Sequence, residues 1–157
     1  MQIRRATTYD VPVLVSLNAP VQALHVQMRP EIFKPSSESA EMHNFFRDRL
    51  TNPNWHGFIA EVDSKPVGYV LAEVIRRPEN PFTYAMQFID IDHISLNEDQ
   101  RGKGYGEQLI QAVFDLAREL NIDRVILGVW ETNTHAVGFF KNQGFTPYLH
   151  RMETKIT

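Results

Sequence analysis

Apolar positions along the chain change period several times, and each change marks an element. Residues 2–6, QIRRA, read as a short first strand. Val11, Leu14, Val15, Leu17, Val21 and Leu24 then recur with helical spacing, behind Asp10 as a cap and Pro12 in the first turn. The segment MRPEIFKPSSES, 28–39, holds prolines and polar turn formers and predicts a loop. Ser37 or Ser39 caps a second helix, in which Met42, Phe45, Phe46 and Leu50 share a face, and Asn52-Pro53-Asn54 ends it. A run of strands follows: Trp55–Val62, Val67–Ile75 and a long segment 82–96. Its tail carries Phe88, Ile89, Ile91, Ile94 and Leu96, with Asp90, Asp92 and His93 between them. A helix from about Gly104 to Leu120 buries Leu109, Ile110, Val113, Phe114, Leu116 and Ala117. Residues 124–129 are a compact apolar strand. Asn133 or Thr134 opens a short helix that ends near Gly144, a left-handed cap, and 145–155 reads as a last strand.

The order is therefore β-α-α-β-β-β-α-β-α-β, an α/β (α+β) arrangement in which a mixed sheet carries helices on its faces. The strand, helix and strand between Met86 and Val129 form a crossover that is parallel and right-handed. The 157 residues suit one domain, 1–157, with no internal repeat.

Composition narrows the function. No apolar run approaches the roughly 18 residues of a membrane span, and the arginines of MQIRRATTYD are followed by no apolar run, so no signal peptide is expected. With no cysteine there is no disulfide, thiolate metal site or cysteine nucleophile, and the six histidines are too scattered for a metal site. A cytoplasmic protein is the expectation. A net charge of −3 argues against a nucleic-acid binder and suits a cationic ligand such as an amine.

The candidate chemistry starts at Arg101-Gly102-Lys103-Gly104-Tyr105-Gly106-Glu107-Gln108-Leu109, at the mouth of the long helix. Glycines let backbone and ligand approach closely. The first amides of a helix lack intrahelical acceptors, and the helix dipole adds positive charge there. Arg101 and Lys103 strengthen such an anion cradle, which suits phosphate. A tight turn that binds nothing is the plain alternative. A Walker loop is absent, and a dinucleotide fingerprint fails because Leu109 stands where its third glycine belongs.

The stretch LNEDQRGKGYGEQLI resembles the acyl-CoA pyrophosphate loop of the GNAT superfamily, Gcn5-related N-acetyltransferases, through Arg101-x-x-Gly104-x-Gly106. NTHAVGFFKNQGF is similar to a second signature of that family at Asn133, Ala136, Phe139, Gly144 and Phe145, and IRRATTYDVPVL is similar to its opening. The resemblance implies a mainly antiparallel sheet and acetyl-CoA as co-substrate. It implies that the amides of Gly102, Lys103, Gly104, Tyr105 and Gly106 hold the pyrophosphate. A bulge would splay the strand before the loop from the next parallel strand, so that the pantetheine arm pairs with Ile94, Ser95 and Leu96. Asn133 would contact the same arm, or serve as a helix N-cap.

A lysine-like amine has a pKa of about 10.4, so roughly one molecule in a thousand is neutral at pH 7. Only that form attacks a thioester, so a base or water chain must take a proton. Asp90 and Asp92, two apart, should share one face and are the candidates for base or water positioner, the plain alternative being a pair of solvated carboxylates; His93 should point to the other face and has a suitable ordinary pKa, though structural histidines are commoner. Family members often place an acid tyrosine after the position of Phe139. Phe140 stands there, which leaves Tyr148 or water to serve the leaving thiolate. The acceptor pocket is expected from 20–37 and 77–84; His25, Pro30 and Phe33 are similar to a loop of some family members, and Glu31 or Glu38 could pair with a cationic amine, but anchoring of the loop is the favoured role for these residues. The leading function is acetyl transfer to a primary amine, on a small molecule or peptide, by direct attack in a ternary complex. The alternative is a non-catalytic acyl-CoA sensor. The family's frequent dimers make a homodimer a candidate assembly.

Overall fold

A computed structural model describes residues 1–156. Its elements are β1 (Gln2–Arg5), α1 (Val11–Met28), α2 (Ala40–Thr51), β2 (Trp55–Val62), β3 (Lys65–Arg77), β4 (Met86–Leu96), α3 (Tyr105–Glu119), β5 (Val125–Leu127) and α4 (Thr134–Asn142). The strands form one sheet in the order β1-β2-β3-β4-β5, antiparallel throughout except for β4 with β5. Among the described residues, no helix is long and apolar enough to cross a membrane.

Strand alternation divides the apolar residues between the two faces. Phe58, Ala60, Val70, Ala72, Ile89 and Ile91 pack against Leu109, Ile110 and Val113 of α3 and Phe140 of α4. Ile59, Tyr69 and Leu71 pack on the other face, against Val11, Leu14 and Val15 of α1 and Phe46 of α2.

Local chemistry sets the ends of the elements. Asp10 sits before α1, but its carboxylate caps no helix amide. It accepts instead from the Thr7 amide (2.8 Å), from Thr7 Oγ1 (3.1 Å) and from Arg4 (2.8 and 2.9 Å), tying β1 to α1. Ser39, and not Ser37, caps α2: its Oγ accepts from the Met42 amide at 3.3 Å. The β2–β3 turn puts Asp63 and Ser64 at φ 50° and 60°, a backbone that matches hairpin twist.

The expected last strand is corrected by the structure. Among the described residues no strand follows α4, so the order ends at the helix, and β5 is shorter than the expected 124–129. Pro147 has no amide for a ladder, and three-residue β5 offers a short template. Tyr148, Leu149, Met152 and Ile156 do not alternate and stay largely exposed. Side chains hold this tail instead: Glu153 pairs with Arg29 at 2.7 Å, and Tyr148 lies under the Arg124 guanidinium.

Candidate active site

The site is built around an irregularity in β4. Its register with β3 runs Asp90↔Glu73, Ile91↔Ala72, then His93↔Leu71, Ile94↔Val70 and Ser95↔Tyr69, which leaves Asp92 as an extra, bulged residue. Directly paired residues share a face. Asp90 and Glu73 therefore lie on the side of Leu71 and Tyr69, facing α1 and α2, and His93 and Ser95 lie there too. This corrects the expectation that His93 points away from Asp90: the bulge shifts parity by one residue, and both side chains emerge on the same face.

The bulge also ends a ladder. β4 pairs with β5 at Ile89↔Val125, Asp90↔Ile126 and Ile91↔Leu127, and no further. Ile94, Ser95 and Leu96 continue beside β3 alone, so their other backbone edge faces an opening. Ser95 is buried, and its hydroxyl donates to the Leu17 carbonyl at 2.7 Å, which occupies it structurally.

Beyond Leu96 the chain turns into α3. The Asn97 amide bonds to the Val67 carbonyl (2.9 Å), a 3₁₀ turn spans Glu98–Gln100, and Gly102 and Gly104 adopt φ 74° and 81°. A β-carbon on either glycine would meet nothing within 4 Å, so handedness, not crowding, selects glycine at both. Gly104 is the residue before the first turn of α3 and offers no side-chain cap. Among the described residues, none accepts a hydrogen bond from the amides of Gly102, Lys103, Gly104, Tyr105 or Gly106. Arg101 and Lys103 are exposed beside them. These bare amides, the helix dipole and the two cations fit a diphosphate. Gly106 differs: it is buried, and a β-carbon there would come within 3.2 Å of Phe139 and 3.3 Å of Leu96.

Asn133 stands at the start of α4, and its Oδ1 accepts from the Ala136 amide at 3.1 Å. That bond leaves the Nδ2 donors for another acceptor. Phe140 is buried between Phe139 and Phe145 at ring distances of 5.2 and 5.8 Å, and brings no hydroxyl. Tyr148 lies at the Arg124 end of β5, opposite the end where the ladder opens, so the structure does not bring it to the aspartates.

The charged groups at the bulge are crowded. Burial raises the Asp90 carboxyl above its ordinary range, with Asp92 and Glu73 adding to it and Arg77 opposing. Asp92 Oδ2 lies 3.7 Å from His93 Nε2 and 3.9 Å from Arg49 Nε. Burial lowers His93 below the usual histidine range; Arg49 and His25 push the same way, and Asp92 opposes them. Arg49 itself lies over Phe45 and Trp55, at 3.4 and 4.5 Å. Sequence reasoning missed Arg49, Glu73 and Tyr69 here, because only the β3–β4 register and the α2 packing bring them to the bulge. Past β5, Phe33 meets Trp130 edge-on and stacks on His25 at 4.7 Å, joining the α1–α2 loop to the β5–α4 loop. Glu31 is engaged by Arg29 at 2.6 Å.

The chain matches the profile of the Acetyltransferase (GNAT) family over residues 21–145 and belongs to that family. It is 27% identical over 104 residues to a candidate ribosomal protein bS18-alanine N-acetyltransferase of Bacillus subtilis, a match covering 66% of this chain and 62% of that protein. The chain thus spans less than two thirds of that relative. A mutant of the BH1408 protein from Bacillus halodurans superposes with a TM-score of 0.91 at 22% identity, over 100% of both chains. A predicted acetyltransferase from Clostridium acetobutylicum, solved with acetyl-CoA, gives 0.73 at 20% identity, over 98% of this chain and 95% of that one.

Proposed function

We propose that the chain is an acetyl-CoA-dependent N-acetyltransferase that moves an acetyl group to a primary amine by direct attack in a ternary complex. The observation that carries this reading is the adjacency of two unfilled backbone surfaces: the bare amides of 102–106 and the open edge of β4 at Ile94–Leu96. Acetyl-CoA supplies the activated acetyl group. The loop amides, with Arg101 and Lys103, would hold its diphosphate, and the β4 edge and the Asn133 amide nitrogen its amide-bearing arm. The Leu96 end of that edge offers a donor for the carbonyl oxygen as charge grows on it.

Position favours Asp92 over Asp90 as the proton acceptor, or as the residue that orients a water. Asp90 lies inside the closed ladder opposite Ile126, whereas Asp92 sits where the ladder ends. Geometry has first claim in choosing a base. A thiolate leaves readily enough that water suffices as proton source where Phe140 offers none. No cysteine is present for an acyl-enzyme, and Ser95 is tied to Leu17.

Titration calorimetry with CoA tests the cradle, and thiol release from acetyl-CoA over polyamines, aminoglycosides, amino acids and peptides tests the transfer. Asp92→Asn should cut turnover by at least about a hundredfold while CoA still binds. A second reading, a non-catalytic acyl-CoA sensor, draws on Phe140; it expects CoA binding with no transfer to any amine.

A further inference from the structure

A chain of buried polar side chains runs under the bulge, and the acetyl-transfer reading assigns it no role. Asn18 on α1 and Tyr69 on β3 are 3% and 0% exposed. Asn18 Nδ2 donates to the Tyr69 hydroxyl at 2.8 Å, and His93 Nδ1 lies 3.2 Å from the same oxygen. A phenol that accepts from an amide must still place its own hydrogen, because a buried donor without a partner is costly. Among the described residues, His93 Nδ1 is the one acceptor in reach. A neutral imidazole that accepts at Nδ1 carries its proton on Nε2.

That Nε2–H is the nitrogen 3.7 Å from Asp92 Oδ2. Arg49 Nε, buried and without another partner, is aimed at the same oxygen from 3.9 Å. The ring cannot turn away freely: Phe45 stacks on it at 5.7 Å, and Phe46 and Tyr69 meet it edge-on at 6.2 and 6.3 Å. The charged or titratable groups facing it are Asp92 on its own strand, Arg49 from α2, His25 from α1 and Tyr69 from β3.

We propose that Asn18, Tyr69 and His93 form a buried tautomer lock, which turns the N–H of His93 toward Asp92 and makes it a positioning residue for that carboxylate, not a base. The assignment of Asp92 as proton acceptor is the part that rests on the acetyl-transfer reading. The lock works through direction. An N–H on Nε2, 3.7 Å from Oδ2, attracts that carboxylate oxygen electrostatically, and the other oxygen is left to face the acceptor. An imidazole with the opposite tautomer would turn a lone pair on Asp92 and repel it.

Long-range proton–nitrogen correlation spectra of the full chain, with labelled histidine and without acetyl-CoA, read the tautomer directly. His93→Gln identifies the signal. At about pH 8, above the ordinary histidine range, the Nε2–H form should outnumber the Nδ1–H form by about tenfold, the ratio one net hydrogen bond supplies. Tyr69→Phe, which keeps the ring and removes the hydroxyl, should lower the Nε2–H share severalfold, leaving only the preference that Asp92 supplies. Asp92→Asn should keep the tautomer and make His93 titrate at a lower pH, since the carboxylate no longer favours the cation. Should Tyr69→Phe not fold, Asn18→Leu frees the phenol to accept from Nδ1–H, and the Nε2–H share should fall. A proton found on Nδ1 in the unaltered protein, or a tautomer indifferent to Tyr69→Phe, overturns the lock; a merely structural tyrosine would leave the tautomer unmoved. Because the spectra need no acetyl-CoA, a chain that failed to bind CoA would lose the proposed function and still show which nitrogen of His93 holds the proton.

Discussion

Helix α4 begins at Asn133, whose side-chain oxygen accepts the Ala136 amide, and α2 begins at Ser39, which does the same for Met42. Helix α3 begins at Gly104, which has no side chain to offer and a φ of 81° that most residues avoid. A side-chain cap is worth about 1 kcal/mol. The chain uses that stabilisation at α2 and α4 and omits it at α1 and α3. Of the two uncapped starts, that of α3 is the one flanked by Arg101 and Lys103 and by the open edge of β4. A helix start lacking its own oxygen is one where oxygens from elsewhere can bind.

The contrast can be broken most forcefully at Gly104. Gly104→Glu imposes a side chain on left-handed backbone and brings a carboxylate to the anion site; CoA affinity measured by calorimetry should fall by at least about a hundredfold. Unchanged affinity would remove the basis for the cradle. Gly104→Asn is a subtler probe, because asparagine tolerates this backbone and can cap as Asn133 does. It should leave the melting temperature unchanged or higher while CoA binds about tenfold more weakly, which turns α3 into a copy of α4. Asn133→Ala makes the converse change. It should lower stability by about 1 kcal/mol in urea unfolding, with a smaller loss in CoA affinity.

Acid should act on neither helix start, since Asn133 and Ser39 do not titrate. Burial lowers His25, His56 and His93 in the folded state below the ordinary 6.5. The unfolded chain therefore binds protons first, so stability is full above about 6.5 and declines as pH falls toward the folded values. Asp10, held low chiefly by Arg4, adds a second window: its contribution is present above the ordinary 3.8 and is lost as pH falls through its depressed value. Asp90, raised by burial, has the opposite sign and offsets part of this. Melting temperature followed from neutral to acid should fall in two stages, and Asn18→Leu, which leaves the three histidines in place, should keep both.

Much of this architecture was legible. Helix periods located α1, α2 and α3 within a few residues, and the loop glycines marked the start of α3 because positive φ leaves few other choices. The bulge was legible too, but indirectly. The apolar positions of β4 run 89, 91, then 94 and 96, and that break in parity signals one extra residue. Read as plain alternation, it sends His93 to the wrong face. The closing strand was not legible, because a segment with Tyr148, Leu149 and Ile156 has strand-like composition, and only the short length of β5 shows that it lacks a template. Nor could local sequence reveal the Asn18–Tyr69–His93 chain, whose members come together solely through the β3–β4 register and the seating of α1.

Gly106 carries a consequence of its own. Its neighbours in the loop are glycine for the sake of backbone handedness, whereas it is glycine because Phe139 and Leu96 press against the place a methyl group would take. Substituting alanine there would act as a wedge, prising the first turn of α3 off α4 and the end of β4 together. Two unrelated demands, one on torsion and one on elbow room, are written in a single letter of the alphabet.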